Sequence, residues 1–355
     1  MEYNTLGNTG LLVSRLCLGT MTFGAGEGFF KPIGDVDHDG VVHMVQAALN
    51  AGINFFDTAD AYQGGQSETL LAEALENLDI PRHEVVIATK VYSRTGDGRN
   101  DIGASRGHIF DAVEASLRRL RTDYIDLYQI HASDYLTPLE ETLRALDTLL
   151  QQGKVRYIGV SNWQAWKLAR SLGISEAKNF ARFDTLQAYY SIAGRDLERE
   201  LGPLLEAEKL GLLVWSPLAG GLLSGKYSRT NQKPEGARRS EFDFPVVDKE
   251  RTWRILDTIA PIAMAHDCSP ARVALAWLLT RPVVTSVIIG AKRRAQLADN
   301  LAAVDLKLSP VEIKQLDDVS ALPVEYPGWM VEWQSTGRLD PSAHKAVEDL
   351  TAVGK

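Results

Sequence analysis

Short apolar runs and amphipathic stretches alternate along most of this chain. Leu16-Cys17-Leu18-Gly19 reads as a first strand. Residues 41–51 carry helical spacing, and Gly52 suits the end of that helix. Asn54-Phe55-Phe56-Asp57 predicts a second strand, and 67–78 a helix with Ser67 as its N-cap. Residues 85–89 form a run suited to a strand buried on both faces. Ile109, Val113, Leu117 and Leu120 recur on one helical face. Residues 126–130 read as strand four. Leu139, Leu143, Leu146 and Leu150 mark another helical stripe, with Pro138 suited to its first turn and Gly153 to its stop. Further strands are expected at 155–160, 185–188, 212–215 and 284–289, with helices at 198–210 and 294–304.

Such alternation predicts parallel strands with crossover helices, and eight strands of this kind fit a closed (β/α)8 barrel. Ahead of them, residues 3–13 read as a β-hairpin turned by Asn8-Thr9-Gly10, suited to plugging the bottom of the barrel. An insertion at roughly 225–248, rich in Arg, Lys, Pro and Gly, interrupts the rhythm; it lies over the mouth or is plain exposed loop. Residues 321–355 lose periodicity and form a C-terminal extension. The whole of 1–355 is read as a single barrel domain, a size such barrels reach.

Composition narrows the function. With 46 acidic and 38 basic residues the net charge is −8, which excludes a general nucleic-acid surface but leaves room for a local anion pocket. No stretch approaches the roughly 18 apolar residues of a membrane span. The N-terminus lacks the basic and apolar run of a signal peptide, so a cytoplasmic location is expected. Two cysteines, Cys17 and Cys268, resemble neither a disulfide framework nor a metal site.

The informative chemistry falls at consecutive strand ends. Asp57 closes strand two with Tyr62 in the loop after it, Lys90 follows strand three, and His131 follows strand four. In a barrel these positions share one mouth. A phenol beside an ammonium is pulled below its ordinary pKa of about 10 and becomes a proton source. A charged Lys in a pocket is costly unless paired, and Asp57 is the available partner. Taken singly, Asp57 also reads as a cap, Tyr62 as a packed aromatic, Lys90 as a surface cation and His131 as a loop cap. Their joint placement favours the chemical reading.

The segment Gly52-Ile53-Asn54-Phe55-Phe56-Asp57-Thr58-Ala59-Asp60-Ala61-Tyr62 resembles the aldo-keto reductase family. So do Ala88-Thr89-Lys90, Gly153-Lys154-Val155-Arg156-Tyr157-Ile158-Gly159-Val160-Ser161-Asn162 and Trp215-Ser216-Pro217-Leu218, in family order over about residues 3–320. The resemblance implies reduction of an aldehyde or ketone by a nicotinamide cofactor. Tyr62 would act as general acid, Lys90 would tune it, Asp57 would hold Lys90, and His131 would orient the carbonyl. It further implies that Ser161, Asn162 and Gln187 hold the nicotinamide amide, that Trp215 stacks on its ring, and that Ser216 and Leu218 join the cofactor site.

No Gly-x-Gly-x-x-Gly opens a helix after a strand, so the Rossmann fingerprint is absent. After strand eight, Lys292, Arg293 and Arg294 adjoin a helix N-terminus, where barrels bind phosphate; they suit the extra phosphate of NADPH or serve as a solvated basic loop. Gln296 and Asn300 share one helix face and can reach the adenosine. NADPH is therefore the expected cofactor, with NADH left open. Phe23, Phe29, Phe30, Tyr92, Trp163, Trp329 and Trp333 are candidates for pocket walls or for packing. Two rivals stand beside the reductase: a cofactor-binding partner protein like the potassium-channel β subunits of the same family, and a Schiff-base aldolase using Lys90. An oligomer is open in either case.

Overall fold

A computed structural model describes residues 1–26, 33–235 and 238–335. Two compact units divide the chain, 1–320 and 321–355. In the first, β1 (Tyr3–Thr5) and β2 (Leu12–Ser14) pair antiparallel as the expected hairpin. Eight parallel strands then close a barrel: β3 (Leu16–Gly19), β4 (Phe55–Asp57), β5 (Val86–Val91), β6 (Ile125–Ile130), β7 (Val155–Ser161), β8 (Thr185–Tyr189), β9 (Gly211–Trp215) and β10 (Val284–Ile289), which returns to β3. The (β/α)8 barrel is therefore observed.

Around it run α1 (His38–Asn50), α2 (Gln66–Asn77), α3 (Arg106–Leu120), α4 (Leu139–Gln151), α5 (Ala165–Lys178), α6 (Leu197–Glu208), α7 (Arg238–Glu241), α8 (Lys249–Ala265), α9 (Pro270–Leu279), α10 (Arg294–Leu301) and α11 (Pro310–Ser320). The described part of the second unit contains α12 (Gly328–Ser335), whose Trp329 and Trp333 are exposed. Among the described residues, no helix is long and apolar enough to cross a membrane.

Local chemistry sets several helix starts. The Asp37 carboxylate accepts from the Gly40 amide, so α1 begins three residues before the expected point. Ser105 and Ser269 cap α3 and α9 in the same way, with Pro270 in the first turn of α9. Two expectations fail. Ser67 is not a cap: Gly65, at φ 91°, takes that place. The Ser67 hydroxyl instead joins Thr20 Oγ1 at 2.7 Å and Thr58 Oγ1 at 3.0 Å in the core. Pro138 stands at the N-cap of α4, just outside the helix. Helices α5, α7, α8, α11 and α12 have no counterpart in the sequence reading. The inner face of α5 includes Ser171, Ser175 and Lys167 beside Leu168 and Leu172, which blurs its apolar stripe. A proline, Pro261, lies inside α8.

The pleat sorts the strand residues into two layers. Outward positions such as Ile87, Val91, Tyr128 and Ile158 pack under the helices. Inward ones form a smaller cluster of Cys17, Phe55, Val86, Ala88, Leu127, Leu213 and Ile288, joined by Leu6 and Val13 from the hairpin. The hairpin thus closes the N-terminal end of the barrel. It fits tightly there: a Cβ on Gly7, at φ 58°, would lie 2.4 Å from the Asp184 carbonyl oxygen and 2.9 Å from the Gly211 amide.

Candidate active site

Toward the C-terminal ends of the strands the barrel interior turns polar. Register decides which side chains meet. Asp57 pairs with Ala88, Lys90 with Gln129, Gln129 with Gly159, and Ser161 with Gln187. Gly159 makes the space, since a Cβ there would lie 2.2 Å from Thr185 Oγ1 and 3.3 Å from Gln129 Cγ.

At the centre lies a buried ion pair. Lys90 Nζ donates to Asp57 Oδ1 at 2.5 Å, to the Thr58 carbonyl at 2.8 Å and to Tyr62 Oη at 3.3 Å. Lys90 is 0% and Asp57 2% exposed. The second carboxylate oxygen, Asp57 Oδ2, accepts from Gln187 Nε2 at 2.7 Å and from Gln129 Nε2 at 3.2 Å. Gln129 escapes the sequence reading. Its signal is a polar residue two places beyond Leu127, on the same inward face of the strand.

Tyr62 opens a short 3-10 turn, Tyr62–Gly65, that folds it back over this pair. Its ring meets the His131 ring edge-on, centroids 5.7 Å apart. His131 is anchored by its amide, which donates to the Val91 carbonyl at 2.8 Å. The four residues expected at one mouth are thus brought together.

Protonation follows from burial as much as from charge. Burial raises the Tyr62 phenol; the Lys90 ammonium pulls it down but does not win, so the net shift is upward. This corrects the expectation of a lowered pKa and leaves the phenol protonated at neutral pH. For Lys90, burial pulls downward, yet Asp57 and Tyr62 outweigh it and the ammonium is held above its ordinary value. Burial and then the Lys90 charge push His131 down to about 3, so its imidazole is neutral at physiological pH. His131 Nδ1 is buried with no hydrogen-bond partner among the described residues.

The predicted cofactor residues fall into two groups. Ser161 ends β7, and Asn162 follows it in a left-handed conformation at φ 59°. The Asn162 amide donates to Ser161 Oγ at 3.0 Å and to the His131 carbonyl at 3.3 Å, and accepts from Trp215 Nε1 at 2.9 Å. Asn162 is therefore committed to holding the rim. Gln187 has given its amide hydrogen to Asp57, while its carbonyl oxygen makes no hydrogen bond among the described residues. That oxygen can accept from a carboxamide. Trp215 lies beside Tyr189 at 5.2 Å and stacks on Phe244 at 5.7 Å with an 8° interplanar angle. Phe244 belongs to the long insertion, which thus reaches the mouth. Buried Arg239 ties that loop down by donating to the Ala219 and Pro245 carbonyls and to Asp243. Ser216 Oγ accepts from the Gly220 amide at 2.9 Å, shaping the turn that carries Leu218.

The second group surrounds the start of α10. The Lys292 amide donates to Gln296 Oε1 at 3.1 Å, and Asn300 Nδ2 donates to the Gly290 carbonyl at 3.4 Å. Lys292 Nζ reaches the Gly34 carbonyl at 3.3 Å. Arg293, exposed, takes the N-cap position, and neither it nor Arg294 forms an ion pair among the described residues. Exposed cations at a helix N-terminus suit a phosphate group.

Of the proposed wall residues, Phe23 and Trp163 are core: Phe23 is fully buried, and Trp163 packs edge-on against Phe183 at 5.6 Å while donating to the Ala132 carbonyl. Phe29 and Phe30 lie outside the described residues. Among the described residues, no group of three metal-ligating side chains converges.

Comparison with known proteins agrees with this geometry. A family model described as the aldo/keto reductase family matches residues 15–321. The chain is 39% identical to the uncharacterized oxidoreductase YrpG of Bacillus subtilis, over 90% of this chain and 96% of that protein. It is 34% identical to versiconal hemiacetal acetate reductase of Aspergillus parasiticus, over 92% and 99%. It is also 34% identical to a probable voltage-gated potassium channel subunit beta of Oryza sativa, over 90% and 96%.

Proposed function

The chain belongs to the aldo/keto reductase family, and we propose that it is an NADPH-dependent reductase of aldehydes or ketones with Tyr62 as proton donor. The observation that carries this reading is the 3.3 Å approach of Lys90 Nζ to Tyr62 Oη, with the same ammonium fixed by Asp57 at 2.5 Å. The residues at the mouth would hold a nicotinamide, which would supply hydride for the carbonyl carbon. Tyr62 gives its proton to the carbonyl oxygen, which completes the alcohol. The phenolate left behind faces the Lys90 ammonium, whose charge is already in place and costs no reorganisation. Asp57, steadied by Gln129 and Gln187, keeps that ammonium pointed at the phenol. Neutral His131 orients the carbonyl by hydrogen bond. In the oxidative direction Tyr62 takes the proton back.

Gln187, Ser161 and Trp215 would hold the nicotinamide end, with Asn162 setting the rim and Ser216 and Leu218 shaping the turn beyond it. Lys292 and Arg293, with Gln296 and Asn300 bracing their loop, would hold the 2′-phosphate and adenosine. A Schiff-base lysine must shed its proton, whereas Lys90 is held as an ammonium, which argues against an aldolase. The two free cysteines, Cys17 and Cys268, suit a reducing cytoplasm.

Tyr62→Phe tests the reading. Removal of the proton donor lowers kcat by about 10²–10⁴-fold, while NADPH binding, followed by fluorescence, persists. Retention of turnover on a carbonyl panel would remove Tyr62 from the role.

A further inference from the structure

On the outer side of β5 lies a second buried polar group, which the chemistry above does not use. Successive strand residues face opposite ways, so Lys90 enters the barrel while Thr89 turns toward α2. Thr89 Oγ1 donates to Glu68 Oε1 at 2.5 Å, and Arg119 Nε donates to Glu68 Oε2 at 2.6 Å. Gly65 gives the guanidinium stem its room, since a Cβ there would lie 2.9 Å from Arg119 Cδ.

Asp60 shares this region and is 3% exposed. Its amide donates to the Lys90 carbonyl at 3.2 Å, so its position is linked to the strand that carries the ammonium. Among the described residues neither carboxyl oxygen makes a well-formed hydrogen bond, and the Ala61 amide exerts only a minor pull. Tyr128 Oη is likewise buried without a hydrogen-bond partner among the described residues. Two carboxyl groups therefore depend on one guanidinium, and Glu68 has engaged it. Burial and the Glu68 charge raise the Asp60 carboxyl to about 8, against weaker downward pulls from Arg119 and Lys90.

We propose that Asp60 is a positioning residue that must keep its proton for the Tyr62–Lys90 pair to function, so that its ionisation turns carbonyl reduction down at alkaline pH. The groups that face it are Glu68 from α2, Arg119 from α3, Lys90 from β5, Tyr128 from β6 and Tyr62 from its own loop. An anion at Asp60 raises the affinity of Tyr62 for its proton, which makes the phenol a poorer donor. It is also a buried charge without a partner, which is relieved by drawing in water or shifting the loop. That loop carries Tyr62 two residues further on. Tyr62 itself titrates above its ordinary value, so a loss of activity near neutral pH cannot come from the phenol.

The kinetic arm rests on the reductase reading. With kcat followed from about pH 6 to about pH 10, the wild-type protein loses turnover through a basic limb near 8. Asp60→Asn, shaped like the protonated acid, removes that limb. Glu68→Gln moves it to lower pH, because Arg119 then becomes available to Asp60. An identical limb in Asp60→Asn overturns the inference.

A second arm needs no substrate. The folded protein holds a proton on Asp60 that the unfolded chain releases near about 4. Relative to Asp60→Asn, wild-type stability therefore declines as pH rises from about 4 to about 8 and is level above that. A difference in melting temperature that does not vary with pH overturns the inference whether or not a substrate is known. Absence of turnover on every carbonyl overturns the reductase reading instead.

Discussion

On the axial side of β5, one ammonium meets one carboxylate, and every remaining oxygen of that carboxylate is met by an amide. On the outer side of the same strand, Asp60 and Glu68 share a single guanidinium, and two polar side chains, Asp60 and Tyr128, are left without hydrogen-bond partners among the described residues. The two clusters are separated by the thickness of a strand. The difference is one of completeness. A satisfied pair fixes its own protonation and geometry across ordinary pH. An incomplete one stores its imbalance as a proton held against the usual carboxylate preference.

Breaking the complete side is expected to have the largest effect. Lys90→Met leaves the Asp57 carboxylate buried with amides alone, costing about 3–5 kcal/mol of stability, and turnover is abolished. Denaturant midpoints check the first part; wild-type stability in this variant would mean the pair is not balanced as described. Arg119→Met attacks the incomplete side. Its side chain is 28% exposed, so the loss is smaller, about 1–3 kcal/mol. The size of the loss depends on pH. Without the cation the Glu68 carboxylate is left buried with Thr89 alone, so the penalty is present at neutral pH and fades as carboxylates are protonated on acidification. Urea titrations at acid and neutral pH read this directly; equal losses at both would place the effect in packing. Gln129→Leu sharpens the comparison with the smallest change, removing one of the two amides on Asp57 Oδ2. It costs about 1 kcal/mol and moves kcat more than KM if the amide steadies the ion pair. An effect confined to KM would assign Gln129 to ligand contact.

Much of the complete side is legible in the sequence because strand ends are. Asp57, Lys90 and His131 each follow an apolar run, and the barrel brings such ends together without further information. Tyr62 needs only a short turn to join them. The outer cluster is opaque for the same reason. Asp60 sits in a polar loop and looks solvated; that it is buried depends on where α2 and α3 pack. Gln129 is hidden by its apolar neighbours, and only its inward direction reveals it. Phe244 reaches Trp215 through a long insertion anchored by Arg239, a relation between distant segments that no local pattern encodes. The sequence reading also misjudges Tyr62: a neighbouring cation suggests a lowered pKa, but burial opposes it and prevails. Ser67 shows a local capping rule losing to a buried hydroxyl network.

Leu6 and Val13 have a kinetic consequence. By filling the far end of the barrel with apolar side chains, they leave both reactants to use one doorway in the proposed reaction. Molecules that share a doorway cannot come and go independently. The one seated deeper arrives first and departs last, so a strand pair remote from the chemistry imposes a queue upon it.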